Sequence, residues 1–185
     1  MFRTLVPIIS ISLFAACTSE PVDPAGGPLS VASIEQAWVA EGFGSPEGVA
    51  AAPGGGYFIS NVMGEGADKD GDGYIAHLSQ DGVITERYWH AKLDAPKGMA
   101  VLDGVLYVAD IDNVVMVGVD RAKRLGKVRI DGAKFLNDVT DWGDAIYVSD
   151  SGDAAIYRIS DGVAELWLQD ERLAGVNGLL GDGDR

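Results

Sequence analysis
The chain has 185 residues, 47% hydrophobic and 23% charged, with 25 glycines. A glycine share about twice the usual one describes a folded, turn-rich domain and argues against a disordered chain, a collagen or a helical bundle. Twenty-eight acidic against 14 basic residues give a net charge of −14, which disfavours a nucleic-acid partner because phosphate recognition needs a cationic surface. The single cysteine excludes an intrachain disulfide and a Cys-based zinc site.

In chain order, Arg3 precedes an apolar run from Leu5 to Ala16. That run is too short to cross a hydrocarbon core about 30 Å thick, which takes roughly 20 helical residues. A basic start followed by a short apolar stretch reads as a secretory signal. Cys17 follows Phe14-Ala15-Ala16, where such a signal is cut. The stretch resembles a bacterial lipobox, with Phe14 in the place usually held by Leu. The resemblance implies that residues 1–17 are a lipoprotein signal peptide and that Cys17 is lipidated. The chain would then sit in the bacterial cell envelope, touching the membrane only through its acyl chains. Thr18 after the cysteine implies the periplasmic face of the outer membrane. Residues 18–30, with three prolines and two glycines, read as a flexible linker.

From residue 31 onward the sequence repeats. A junction recurs at Pro46-Glu47-Gly48, Pro96-Lys97-Gly98, Leu136-Asn137-Asp138 and Val176-Asn177-Gly178, with spacings of 50, 40 and 40 residues from Glu47. Each junction leads into a turn and then a strand with a recurring end: Tyr57 to Asn61, Leu106 to Asp110 and Ile146 to Asp150. Third strands are expected at Tyr74–Leu78, Val114–Val119 and Ala155–Ile159. Outer strands are expected at Val83–Trp89, Lys127–Ile130 and Val163–Leu168. Four short strands per unit, joined by Gly and Asp turns, are an antiparallel sheet that must stack on its neighbours to bury its faces. That is a propeller blade; a β-sandwich is the other fold with such strand spacing, but it does not require one junction four times. Residues 34–45 match the end of a unit, with Trp38 aligned to Trp89 and Trp167, and are expected to form an outer strand of the last blade.

The junction residues Glu47, Lys97, Asn137 and Asn177 open the innermost strands, so symmetry gathers them at one mouth of the channel. Their types differ while the frame around them repeats, as expected of a site grafted on a scaffold. Glu and Asn offer oxygen ligands, which suit a hard cation. The alternative is that they hydrogen-bond free backbone ends. Asp68-Lys69-Asp70-Gly71-Asp72 matches the first half of a calcium loop, but Ser79 stands where the bidentate Glu belongs. Asp68, Asp70 and Asp72 are therefore a weak second calcium candidate and read better as a solvated loop. The recurring Asn61, Asp110 and Asp150 read as a structural device that caps turns. His77 and His90 carry no paired motif and read as surface or packing residues. The six basic residues between Arg121 and Lys134 read as a solvated blade rim.

The junctions Pro46-Glu47-Gly48, Leu136-Asn137-Asp138 and Val176-Asn177-Gly178, together with the Tyr-Val-Ser/Ala-Asp strands, resemble the gluconolactonase/regucalcin family of six-bladed β-propellers over residues 34–185. The resemblance implies one divalent metal, Ca²⁺ or else Zn²⁺ or Mn²⁺, held by Glu47 and Asn177. It implies that Asn137, Asp138 and Lys97 face the substrate, a small lactone or sugar acid. The function it implies is metal-dependent hydrolysis of lactones or related esters, with the metal polarising the carbonyl. The alternative is a non-catalytic propeller that binds a sugar, peptide or protein partner. The family's general-base Asp belongs on a blade beyond Arg185. The fold expected is thus all-β: a propeller of four-stranded antiparallel blades, six-bladed in type, present over residues 31–185 as an incomplete arc of about three and a half blades. The two ends of that arc are expected to be bare sheet faces.

Overall fold
The computed structural model describes residues 35–183; Cys17 and the stretches expected to be a signal peptide and a linker lie outside the described residues. Three antiparallel four-stranded sheets follow one another along the chain. The first holds β1 (Pro46–Ala51), β2 (Tyr57–Asn61), β3 (Gly73–Leu78) and β4 (Ile84–Leu93). The second holds β5 (Pro96–Leu102), β6 (Val105–Asp110), β7 (Asn113–Gly118) and β8 (Lys123–Arg129). The third holds β9 (Leu136–Trp142), β10 (Ala145–Asp150), β11 (Ala155–Ser160) and β12 (Val163–Gln169). Each sheet runs in sequence order from its inner to its outer strand. A 3-10 turn at Glu171–Leu173 follows the third blade. This is an all-β propeller architecture, seen here as an arc of three blades.

Local chemistry sets the hairpins. Asp103-Gly104 and Asp161-Gly162 both have positive φ at the two central positions, 50° and 74° in one and 52° and 75° in the other. That is the type I′ turn whose twist matches the flanking strands. The strands between such turns are apolar on both faces where they are sandwiched. Leu106 and Val108 of the middle blade pack with Phe58 and Ile75 of the first. Ala109 and Val114 on its other face pack with Ile146 and Val148 of the third. A blade exposing both faces would be unstable alone; stacking buries each face against its neighbour.

The strand-ending polar residues form a repeated clamp. Asp110 is buried and accepts the main-chain N–H groups of Asp94 and Ala95, at 3.1 and 2.8 Å. Asp150 accepts those of Lys134, Phe135 and Gly152 at 2.8, 2.9 and 3.0 Å. In the first blade, the amide oxygen of Asn61 accepts Gly44 N–H at 3.0 Å. In each case the acceptor secures the loop that enters the same blade's inner strand, so the capping role read from the sequence is the one the structure shows. Burial pushes the Asp110 carboxyl up, against the pull of these N–H groups and of Lys97 nearby.

The segment preceding β1 departs from expectation. No strand forms over residues 35–45, because a strand exists only by pairing and no strand lies alongside. Trp38 instead packs at a tilt against Tyr57, with ring centroids 5.6 Å apart, and lies over Gly82. Ala40 and Phe43 pack with it on the first blade's outward face, against Tyr74, Ala76 and Leu78. The opposite end is treated similarly: Leu173 and Leu179 pack against Ala145, Tyr147 and Ile156 on the third blade's outward face. The end faces are therefore partly covered by the chain's own flanking segments rather than bare.

Candidate functional site
The inner strands share a feature beyond their sequence motif. At the start of each, the pairing slips so that two residues oppose one. Glu47 and Gly48 face Ser60 between the pairs Pro46–Asn61 and Val49–Ile59. Lys97 and Gly98 face Ala109 between Pro96–Asp110 and Met99–Val108. Asn137 and Asp138 face Ser149 between Leu136–Asp150 and Val139–Val148. These are β-bulges, which kink a strand and re-aim its side chains, and which gather beside functional sites. The first residue of each bulge is the junction residue singled out by the sequence.

Chemistry fixes the second residue. Gly48 N–H donates to Ser60 Oγ at 2.8 Å, and Asp138 N–H donates to Ser149 Oγ at 2.9 Å, so the bulged amides in blades one and three are satisfied. A Cβ on Gly48 would come within 2.6 Å of the Lys97 carbonyl oxygen, and one on Gly98 within 2.5 Å of Asp138 Cα and 2.9 Å of the Asn137 carbonyl oxygen. Adjacent blades thus touch backbone to backbone at the mouth, and only glycine fits. We expect Gly98→Ala to force the second and third blades apart at a cost of about 1–3 kcal/mol, read as a lower denaturation midpoint with the strand content unchanged.

Lys97 is the unexpected member. Its residue is 2% exposed. Its ammonium donates to the carbonyls of Gly66 at 2.7 Å and Ala95 at 3.0 Å and lies 4.4 Å from the centroid of the Phe135 ring. Burial pushes its pKa down, while the charges of Asp110 and Glu47 pull it back up. Gly66 belongs to the loop between β2 and β3, the ten-residue excess of the first unit. That loop is held over the second blade again by Lys69, which donates to Asp112 at 2.8 Å. The Lys69 hydrogen bond holds Asp112 below the usual carboxylate range, helped by Arg129. The excess length in the sequence was the signal for this strap; nothing in the sequence pointed to Gly66, Phe135 or Asp112.

The other candidates fall as follows. Glu47 and Asn177 are exposed; Asn137 is buried, and its amide donates to Ser151 Oγ at 3.0 Å. The Asp138 carboxylate accepts Leu179 N–H at 2.7 Å, which ties the segment after the third blade to β9. Ser149 Oγ donates to the Asn177 carbonyl at 2.8 Å and Ser151 Oγ to that of Val176, so this segment runs beside β9. Asp68, Asp70 and Asp72 are exposed, and Asp70 closes a turn by accepting Asp72 N–H at 3.0 Å. His90 bonds the Ala122 carbonyl through Nδ1 at 2.9 Å, and burial pushes its pKa down, as befits a packing residue.

A metal at the mouth needs donors. Among the described residues, no three His, Cys, Asp or Glu side chains cluster so as to hold a metal ion. The junction positions supply one carboxylate, Glu47, the amides of Asn137 and Asn177 and the buried Lys97 ammonium, while the neighbouring Asp138 carboxylate is engaged by Leu179 N–H. Ca²⁺ takes six to eight oxygen ligands.

No family model matches the chain, and no curated protein matches it. Among solved structures, the chain is similar to hydrazine synthase of Kuenenia stuttgartiensis, with a TM-score of 0.54 and 21% identity over 73% of this chain and 38% of that one. It is similar to a chain of a nidogen/laminin complex, with a TM-score of 0.56 and 15% identity over 71% of this chain and 50% of that one. It is also similar to a catalytically inactive virginiamycin B lyase of Staphylococcus aureus with quinupristin, with a TM-score of 0.52 and 15% identity over 76% of this chain and 61% of that one. At these identities the likeness speaks for the propeller fold alone. The chain spans about two fifths to three fifths of the length of these structures.

Proposed function
We propose that this chain is part of a β-propeller that binds a small sugar acid or similar carboxylate-bearing ligand at the mouth formed by Glu47, Lys97, Asn137 and Asn177. One observation carries the reading: a bulge at the start of each inner strand gives each blade one extra residue there, and that residue differs in type from blade to blade. A frame that repeats while one position per blade is free to vary suits recognition of an asymmetric ligand. Lys97 supplies a positive charge from its buried seat beneath the mouth, acting on the ligand through its field rather than by contact. Asn137 and Asn177 supply amide groups that can both donate and accept, and Glu47 accepts from hydroxyls. Propellers of this architecture serve both binding and catalysis, as the nidogen/laminin complex and the lyase with quinupristin illustrate for those proteins.

Calorimetry with a panel of aldonates tests the proposal. We expect binding that falls about tenfold in Lys97→Met, as loss of a positive charge lying just below the ligand implies. Equal affinity in the variant overturns the reading. Lactone hydrolysis is the second reading, favoured by the exposed Glu47 carboxylate at the mouth and by the likeness of the junctions to the gluconolactonase/regucalcin family. It predicts turnover of a lactone panel supplied with Ca²⁺, Zn²⁺ or Mn²⁺, lost in Glu47→Gln. We further propose that Cys17 anchors the chain by lipid to the periplasmic face of the outer membrane. Cys17→Ala is then expected to move the protein from the membrane fraction to the soluble one and to abolish palmitate labelling.

A further inference from the structure
The outer strand of the second blade is unlike the other two. Between Arg121 and Lys134 the chain places six of its 14 basic residues and one acid, Asp131, although its net charge is −14. Strand β12 carries one charge, Glu165, and β4 mixes Glu86 with Arg87 and Lys92. Strand β8 ends its sheet and pairs with β7 alone, so its other main-chain edge is free. The pairing sets Arg124, Lys127 and Arg129 opposite Val117, Val115 and Asn113, on one side of the strand, and all three are exposed. Arg124 reaches across to the Lys92 carbonyl of β4 at 2.9 Å, and Arg129 is shared between Asp112 and Asp131 at 3.3 and 3.4 Å. The side chains of Lys123 and Lys127 have no hydrogen bond or ion pair among the described residues.

Lysines on edge strands often serve to prevent stray pairing. Strand β12 is equally an edge, yet it has no lysine or arginine and exposes Leu166, Trp167 and Leu168. Blocking by cations is therefore not applied to every edge of this fold, and the density of basic residues on β8, where β4 mixes both signs and β12 has no cation, calls for another account.

We propose that β8 is a docking edge for an extended acidic segment of a partner protein, which adds as a fifth strand to the second blade. Main-chain hydrogen bonds to the free edge supply affinity, as in strand addition generally. Alternate carboxylates of the segment meet Arg124, Lys127 and Arg129, which are spaced by three and two residues but are brought onto one side of β8 by the shifted pairing at Met116 and Val117. The acidic remainder of the molecule repels such a segment and leaves this strand as the place where it lands.

The test is fluorescence anisotropy of a short fluorescein-labelled peptide of alternating Glu and Val, titrated with the full chain at low and at physiological ionic strength. We expect saturable binding that weakens with salt and falls about tenfold in Lys127→Glu, with a smaller loss in Lys127→Gln. Peptide carrying N-methyl groups on alternate amides is expected not to bind. Equal binding of the N-methylated peptide overturns the proposal, since it leaves charge without strand pairing. Absence of binding to either peptide overturns it too. So does capture of phosphatidylglycerol vesicles, lost in Lys127→Glu, by a chain that ignores the peptide, because the edge would then face a membrane.

Discussion

Replacing Asp150 by Ala is expected to lower the stability of the protein by on the order of 3–5 kcal/mol, since three main-chain donors lose a charged acceptor in a site closed to water. The residue is fully buried, and its carboxylate holds Lys134, Phe135 and Gly152 N–H at 3.0 Å or less. Losing it frees the loop that enters β9, and with it the ring of Phe135 on which Lys97 rests. Asp150→Asn retains an oxygen that can accept, as Asn61 does in the first blade, and is expected to cost well under half as much. Urea denaturation of the two variants checks the ordering. Equal midpoints for Asp150→Ala and the parent would show that the clamp contributes nothing.

A second large effect is expected at the outward face of the third blade. Trp142, Tyr147, Ile156, Trp167, Leu179 and Leu180 line an apolar groove of 140 Å³ there. Trp167 and Leu180 remain 49% and 85% exposed. The equivalent faces of the first and second blades are covered by the next blade, so this groove has the chemistry of a blade contact without a blade on it. The 185-residue chain is expected to associate through this face as its concentration rises, because a contiguous apolar patch in water is a contact surface. Sedimentation should show mass growing with concentration. The double variant Trp167→Glu, Leu180→Asp should sediment as a monomer throughout. A parent chain that is monomeric at every concentration would rule this out.

Much of the fold is legible in the sequence, for a physical reason: four strands per blade recur with the same turn chemistry, so each copy corroborates the others. Strand β2 begins and ends where Tyr57 and Asn61 predict. Strand β8 is less legible. It begins at Lys123 rather than Lys127, because Lys123, Arg124 and Gly126 lack the apolar and β-branched character that marks a strand and are held by pairing with Val117, Gly118 and Met116. Residues 35–45 are misread as a strand for the converse reason. They have the composition of one, but a strand is a property of two segments and composition describes one. At the mouth, the positions of Glu47, Lys97 and Asn137 follow from repeat symmetry. The burial of Lys97 does not, since its partners Gly66 and Phe135 come from the blades on either side and are separated from it by 31 and 38 residues.

The strap over the second blade has a kinetic consequence. Each blade is a run of local hairpins and can form early, because closing short loops is cheap in entropy. The seat of Lys97 draws one carbonyl from the first blade, one from the second and a ring from the third, so it is complete only once three blades have docked. The reactivity of its amine toward an acylating reagent during refolding therefore reports docking rather than strand formation. Protection of Lys97 should lag behind the appearance of β-sheet circular dichroism, which makes this one side chain a clock for the last step of assembly.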